Sequence, residues 1–375
     1  MSAKKTKVLF CTDGIFPHAI GGMQRHSALL AEALAATGKI DLIVVHPHKE
    51  KIFTAIPSIT ELALDFNFLT GTYIRRLRDY SKLIYEIAKQ HPDAVIYSQG
   101  YSAFYGITEI GNRVIVNPHG LEPFQAITFR DKAITSPFRM MSRRQFKYAA
   151  KVVSLGGRLT EILQREIPGN ANKKIAVLPN AVNPGVMPKR DFAKNNLNLL
   201  FVGRFAFNKG INVLCEAIRQ LNGEGYKNKL TFNLVGKGPL YDKYIKEYDF
   251  ENINFIGFAD DDQLSRLYNE NDLFVFPTLF EGMPTVVLEA MATGMPVIVS
   301  DTGATAELVD SSNGYLIEKD NIRSLRWAIH SYFQLNESQR LRLSERSREK
   351  VMEQFTWSKV ADRHLELFEN LGAGL

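Results

Sequence analysis

Residues 271–301, NDLFVFPTLFEGMPTVVLEAMATGMPVIVSD, constrain the fold more than any other part of this chain. Residues 273–276 are a short apolar run closed by Pro277 and read as a buried strand. A loop holding Glu281 and Gly282 follows. Pro284 suits a first helical position, and residues 285–292 read as a helix stopped at Gly294. A second buried strand, residues 296–300, comes at once. Strand, loop, helix and strand in about thirty residues make a βαβ crossover, the connection a parallel sheet requires. Ligands of such sheets bind beyond the carboxyl ends of the strands, where residues 281–285 would lie.

The rest of the chain repeats this alternation, and its 375 residues suffice for two domains. Strands are expected at 8–11, 42–45, 62–64, 94–97, 113–116, 152–155 and 175–178, with helices at about 23–36, 72–89, 137–150 and 159–166. The segment PNAVNPGVMP, with its prolines and glycine, reads as a linker and divides residues 1–183 from 184–356. Beyond it, strands at 197–202, 232–235 and 253–257 and a helix from Asp260 to Tyr268 precede the crossover. Helices at about 320–333, 337–353 and 357–371 follow it.

Several strand ends carry residues suited to one chemistry. Gly21 and Gly22 precede the first helix and would let backbone approach a ligand there; no GxGxxG is present. His119 follows a strand in the run NPHG. In GRFAFNKG, Gly203 and Arg204 end a strand and Lys209 opens the next element, so that a guanidinium fork and a point charge could close on a diphosphate. Glu281 and Glu289 flank Gly282, Met283, Pro284, Thr285 and Val286, where the backbone N–H groups opening a helix lack intrahelical partners. Taken singly, these are equally a glycine turn, a structural histidine, an exposed basic loop and two solvated glutamates.

Together and in order they resemble the retaining glycosyltransferases of family 4. The likeness runs from the double glycine through the strand-end His119, GRxxxxKG and EGMPTVVLEAMATGMPVIVSD to the terminal helix. The resemblance implies the α/β GT-B fold, two Rossmann-like doubly wound domains facing a cleft, with the helix at about 357–375 crossing back to the first domain. It implies transfer of a sugar from a nucleoside diphosphate sugar to a hydroxyl with retention, and no metal or cofactor. A UDP sugar is expected ahead of a GDP sugar. In this reading Gly21 and Gly22 lie against the donor phosphates, and Arg204, Lys209 and the helix start stabilise the leaving diphosphate. Glu289 accepts from the ribose hydroxyls, Glu281 contacts the sugar, His119 stabilises its flank, and Ile256 to Phe258 read the base through the backbone. Ala304 stands where the family more often has a second glycine. A sugar-nucleotide 2-epimerase of the same fold, or a noncatalytic nucleotide-sugar binding protein, are the alternatives.

Charge and cysteine usage bound the setting. Residues 1–190 carry 26 Lys and Arg against 14 Asp and Glu, residues 191–375 20 against 26, so the two halves suit different partners. No finger, RRM or KH signature points to nucleic acid. Asp260-Asp261-Asp262 reads as a helix start, not as a metal-binding pair. A glycosidase pair is disfavoured for Glu281 and Glu289, one on a loop and one on a helix with cations nearby. Cys11 and Cys215 read as buried free thiols of a reducing compartment, and the lysine-rich start leads straight into a strand too short for a signal peptide core. The expected setting is the cytoplasm. Arg75, Arg76, Arg78 and Lys82 follow Phe66, Phe68 and Leu69, which read as exposed. Arg139, Arg143, Lys147 and Lys151 recur every four residues as one helix face, with Arg144 alongside. Both clusters suit an anionic membrane surface and a lipid-linked or saccharide acceptor, or else a solvated face paired with Asp79 or Glu86.

Overall fold

The computed structural model describes residues 5–66, 72–125, 129–169 and 171–375. It divides into two units, Met1–Asn180 with Trp357–Leu375, and Ala181–Thr356. Phe68 and Leu69 lie outside the described residues.

Unit 1 holds a seven-stranded, wholly parallel sheet. Its strands are β1 (Thr6–Cys11), β2 (Ile40–His46), β3 (Ile59–Ala63), β4 (Val95–Gln99), β5 (Val114–Asn117), β6 (Lys151–Ser154) and β7 (Ile175–Val177). They lie in the order β3-β2-β1-β4-β5-β6-β7. Strands covered on both faces need continuous apolar runs, and VLFC, LIVV and VIV supply them with residues at most a few per cent exposed. The Gly22–Ala36 helix and the terminal Trp357–Gly372 helix pack on each other, the latter also against β1 and β4. Its inward positions Val360, Ala361, His364, Leu365 and Phe368 follow helical spacing and are buried.

Unit 2 repeats the architecture with six parallel strands: β8 (Leu197–Val202), β9 (Leu230–Val235), β10 (Ile253–Gly257), β11 (Leu273–Phe276), β12 (Val297–Ser300) and β13 (Gly314–Ile317). Their order is β10-β9-β8-β11-β12-β13. Strand order therefore reverses between β1 and β4 in unit 1 and between β8 and β11 in unit 2. Sheets of this kind open a crevice at that point.

The structure corrects several local expectations. Strand β13 has no counterpart in the sequence reading; as an edge strand it buries only part of GYLI, which blurs the apolar signal. Strand β3 begins at Ile59, three residues before the expected 62–64. Pro284 caps its helix from outside instead of opening it. The helix expected at 137–150 is Ser136–Tyr148, and Lys151 has passed into β6, where its ammonium donates to Lys173 O at 2.7 Å. The row of four cations on one face thus loses its last member. Phe66 is half-buried, its ring 5.5 Å from that of Tyr80, and not exposed. Both cysteines are free and buried.

Candidate active site

In unit 2 the candidate residues gather at the carboxyl ends of β8 and β11, the strands flanking the switch point. The Phe207–Lys209 turn follows β8, and Lys209 Nζ donates to Glu281 Oε1 in the loop after β11. The two loops are tied by backbone as well: Leu279 N–H and the Thr278 hydroxyl both donate to Asn208 O at 3.0 Å. Thr278 Oγ1 also reaches Glu281 Oε1 at 3.4 Å. Two glycines make this closeness possible. Gly210 has φ +69°, and a Cβ there would sit 1.8 Å from Pro277 O. Gly303, at φ +55°, would put a Cβ 2.2 Å from Glu281 O. Ala304 needs no such latitude: it is fully buried, and its N–H donates to Gly282 O at 2.8 Å.

Burial holds the Glu281 carboxyl above the usual carboxylate range, and the hydrogen-bonded Lys209 ammonium offsets only part of that rise. Gly203 follows β8 directly, and Arg204 beside it is exposed. The Thr285–Ala292 helix starts without a side-chain cap, with Gly282, Thr285 and Val286 half-buried and Met283 and Pro284 buried. Glu289, one turn further along this helix, has its carboxylate accepting from the Tyr268 hydroxyl at 2.8 Å. Ile256 and the 77% exposed Phe258 lie at the end of β10, the opposite edge strand.

In unit 1 the carboxyl ends of β1, β4 and β5 form a second cluster. Gly21 and Gly22 begin the helix after β1; a Cβ on Gly22 would meet nothing within 4 Å, so the fold itself does not require glycine there. His119, two residues beyond β5, adopts the left-handed conformation at φ +57°. Its N–H donates to Asn117 Oδ1 at 3.0 Å, and its Nε2 bonds Gln99 Oε1 at the end of β4. His26 stands edge-on to His119 at 5.1 Å between ring centroids, and Trp357 packs on His26 at 5.4 Å. Burial first, and the His364 ring second, lower the His119 pKa to about 3, so this imidazole is neutral at pH 7. Burial likewise raises Asp13, in the loop after β1, to about 6. The sequence reading missed Asp13, His26, Gln99 and His364. Asp13 and Gln99 could have been found by applying the strand-end rule to β1 and β4; the two histidines sit inside apolar helical stripes and carry no local signal.

The basic clusters differ in availability. On the Tyr73–Gln90 helix, Arg75, Arg78 and Lys82 are exposed beside exposed Tyr73 and Ile74. Arg75 lies 3.8 Å from Asp79, and Arg76 lies over the Tyr73 ring at 5.8 Å. On the Ser136–Tyr148 helix, Arg139 is half-buried and donates to Lys132 O at 2.8 Å, and Arg143 pairs with Glu166 at 2.7 Å. Lys147 is exposed over Tyr148. Among the described residues no group of three or more His, Cys, Asp or Glu could hold a metal ion, and no helix is long and apolar enough to cross a membrane.

Two family models divide the chain as the sheets do: Glycosyltransferase Family 4 over residues 20–186, and Glycosyl transferases group 1 over residues 196–334. The chain belongs to the family 4 glycosyltransferases. It is 28% identical over 235 residues to an uncharacterized glycosyltransferase of Methanocaldococcus jannaschii, covering 60% of this chain and 62% of that protein. With several other curated relatives it shares less than half of their length. It is 25% identical over 319 residues to a UDP-Gal:α-D-GlcNAc-diphosphoundecaprenol α-1,3-galactosyltransferase of Escherichia coli, 79% of this chain and 80% of that one. The sucrose-phosphate synthase of Thermosynechococcus elongatus superposes with a TM-score of 0.81 at 19% identity over 99% of this chain and 100% of that one, a likeness that shows the GT-B fold.

Proposed function

We propose that this family member transfers a sugar from a UDP sugar to a hydroxyl of a lipid-linked saccharide acceptor, with retention and without a metal ion. The observation that carries this reading is the Lys209–Glu281 pair at the unit 2 switch point, beside an uncapped helix start and the exposed Arg204. As the glycosidic bond breaks, charge develops on the leaving diphosphate. Arg204, Lys209 and the N–H groups of Gly282, Met283, Thr285 and Val286 are donors fixed in advance for it. Glu281 holds Lys209 in place before the donor arrives and offers an acceptor for a sugar hydroxyl. Glu289 is the ribose partner, and the exposed ends at Ile256 and Phe258 serve the base. In unit 1, His119 acts as a neutral dipole towards the sugar, and the open space at Gly22 lets the helix start approach the donor phosphates.

The E. coli relative supports a UDP donor and a diphosphate-lipid acceptor. Thermal shift with UDP, GDP and ADP tests the base: at 100 times its Kd a ligand adds about 2.7 kcal/mol, and UDP should give the largest shift. Turnover should persist in EDTA, and the product's anomeric coupling constant should match the donor's. A shift with none of the three nucleotides would remove the donor assignment. The exposed Arg75 and Arg78, with Arg76, are the proposed contact with an anionic bilayer. Flotation with phosphatidylglycerol vesicles should exceed that with neutral ones and weaken when all three become Ser. Equal recovery would return them to solvated surface.

A further inference from the structure

His364 lies on the terminal helix, fully inside unit 1, and belongs to an unbroken line of hydrogen bonds ending at His119. Its Nδ1 is 2.8 Å from Val360 O; a carbonyl only accepts, so Nδ1 carries the proton. Burial lowers the His364 pKa to about 4, so the ring is neutral and its Nε2 is a lone pair. The Tyr97 hydroxyl, 2.9 Å away, must therefore donate to it. With that proton committed, the Tyr97 oxygen accepts from Asn117 Nδ2 at 3.0 Å. The Asn117 amide can then face only one way, its Oδ1 towards the His119 N–H at 3.0 Å. That bond closes the turn in which His119, a non-glycine residue, holds a positive φ.

We propose that His364 is a positioning residue for His119, acting through Tyr97 and Asn117. Each donor and acceptor in the line is fixed by the one before it, beginning at a helical carbonyl. The proton on His364 Nδ1 thus decides which end of Asn117 meets the His119 backbone. The same helix adds a packing contact through Trp357 and His26 to the His119 ring. The inference rests on the reading that His119 faces the sugar, and its test separates the two.

In the wild-type protein at neutral pH, long-range ¹⁵N–¹H spectra should show His364 as the Nδ1–H tautomer and His119 as the Nε2–H tautomer. A proton on His364 Nε2 would reverse the line and overturn the proposal, whatever the enzyme transfers. Tyr97→Phe frees Asn117 to turn over, and kcat should fall about 10-fold with KM for the nucleotide sugar unchanged. Adding Asn117→Asp should recover most of that loss, because a carboxylate presents an acceptor at either oxygen, while the melting temperature stays low. Failure of the second change to restore kcat would reduce Tyr97 to packing and refute the relay. Both tautomers as stated, with no transfer by any variant or by wild type, would instead sink the sugar-transfer reading alone.

Discussion

The two switch points are built alike from strands and unlike in their chemistry. At β8 and β11 the functional groups are charged and partly open to solvent: Arg204 is exposed, and Lys209 and Glu281 form an ion pair. At β1, β4 and β5 they are mostly neutral rings and amides that fix one another, His26, Gln99, Asn117 and His364 buried and His119 half-buried, with the Asp13 carboxyl, raised to about 6, beside them. Seven of the eight histidines belong to unit 1, and burial depresses the pKa of five of them, His26, His46, His48, His119 and His364. A charge-rich edge suits the grip of an anion. A neutral, cross-braced edge suits the placing of hydroxyls, where a stray charge would compete.

The largest expected effect separates the units by acid. Imidazoles whose folded pKa is depressed contribute stability that is full above about pH 6.5 and is lost as pH falls towards their folded values. Asp13, raised to about 6, opposes this by favouring the fold at low pH. The balance should cost unit 1 on the order of 3–6 kcal/mol between pH 7 and pH 5, with unit 2 little changed. Each unit holds one tryptophan, buried Trp357 in unit 1 and exposed Trp327 in unit 2. In Trp327→Phe, fluorescence then reports unit 1 alone, and an acid transition matching that of unit 2 probes would erase the contrast.

Next in size is Gly210→Ala. The left-handed backbone and the Pro277 carbonyl together should cost about 2–4 kcal/mol, read as a lowered melting temperature of unit 2. Lys209→Ala removes a charge-assisted hydrogen bond worth about 1.5–3 kcal/mol, so sugar transfer should slow about 10- to 150-fold with little change in fold. Unaltered turnover would show that the charged edge is not where the diphosphate is held. The smallest effect on stability should come from Gly22→Ala. Its Cβ meets open space, so stability should move by less than about 1 kcal/mol while the donor KM rises. A large loss of stability there would make Gly22 structural, like Gly210.

The same contrast decides what could be seen in the sequence. The unit 2 edge was legible because its parts lie in two compact segments, 203–210 and 281–289, each attached to a strong apolar strand. Strand β8 and the helix at Thr285–Ala292 fall where the apolar runs place them. The unit 1 edge draws on residues 13, 26, 99, 119 and 364, spread through most of the chain. Only His119 and the double glycine had a local signature. His364 shows the limit: its spacing with Val360 and Phe368 marks a buried helical face, and nothing in that face reveals a hydrogen bond to a tyrosine 267 positions earlier. On the Ser136–Tyr148 helix the limit is different, since spacing reports a shared face but not the partner, such as Glu166 for Arg143, that occupies it.

The terminal helix also gives the molecule an order of assembly in time. Unit 1 is made of two separated pieces of chain, and all of unit 2 is synthesised between them. A ribosome adding about 5–20 residues each second needs roughly 10–50 seconds to pass from His119 to His364. Through that interval the nascent first domain has its sheet but lacks the helix that covers β1 and β4, and apolar surface on those strands stays open. Unit 2 can close first. The His119 turn is therefore among the last features to set, and a nascent chain stalled short of residue 364 would carry a finished unit 2 and a unit 1 still waiting for its final helix.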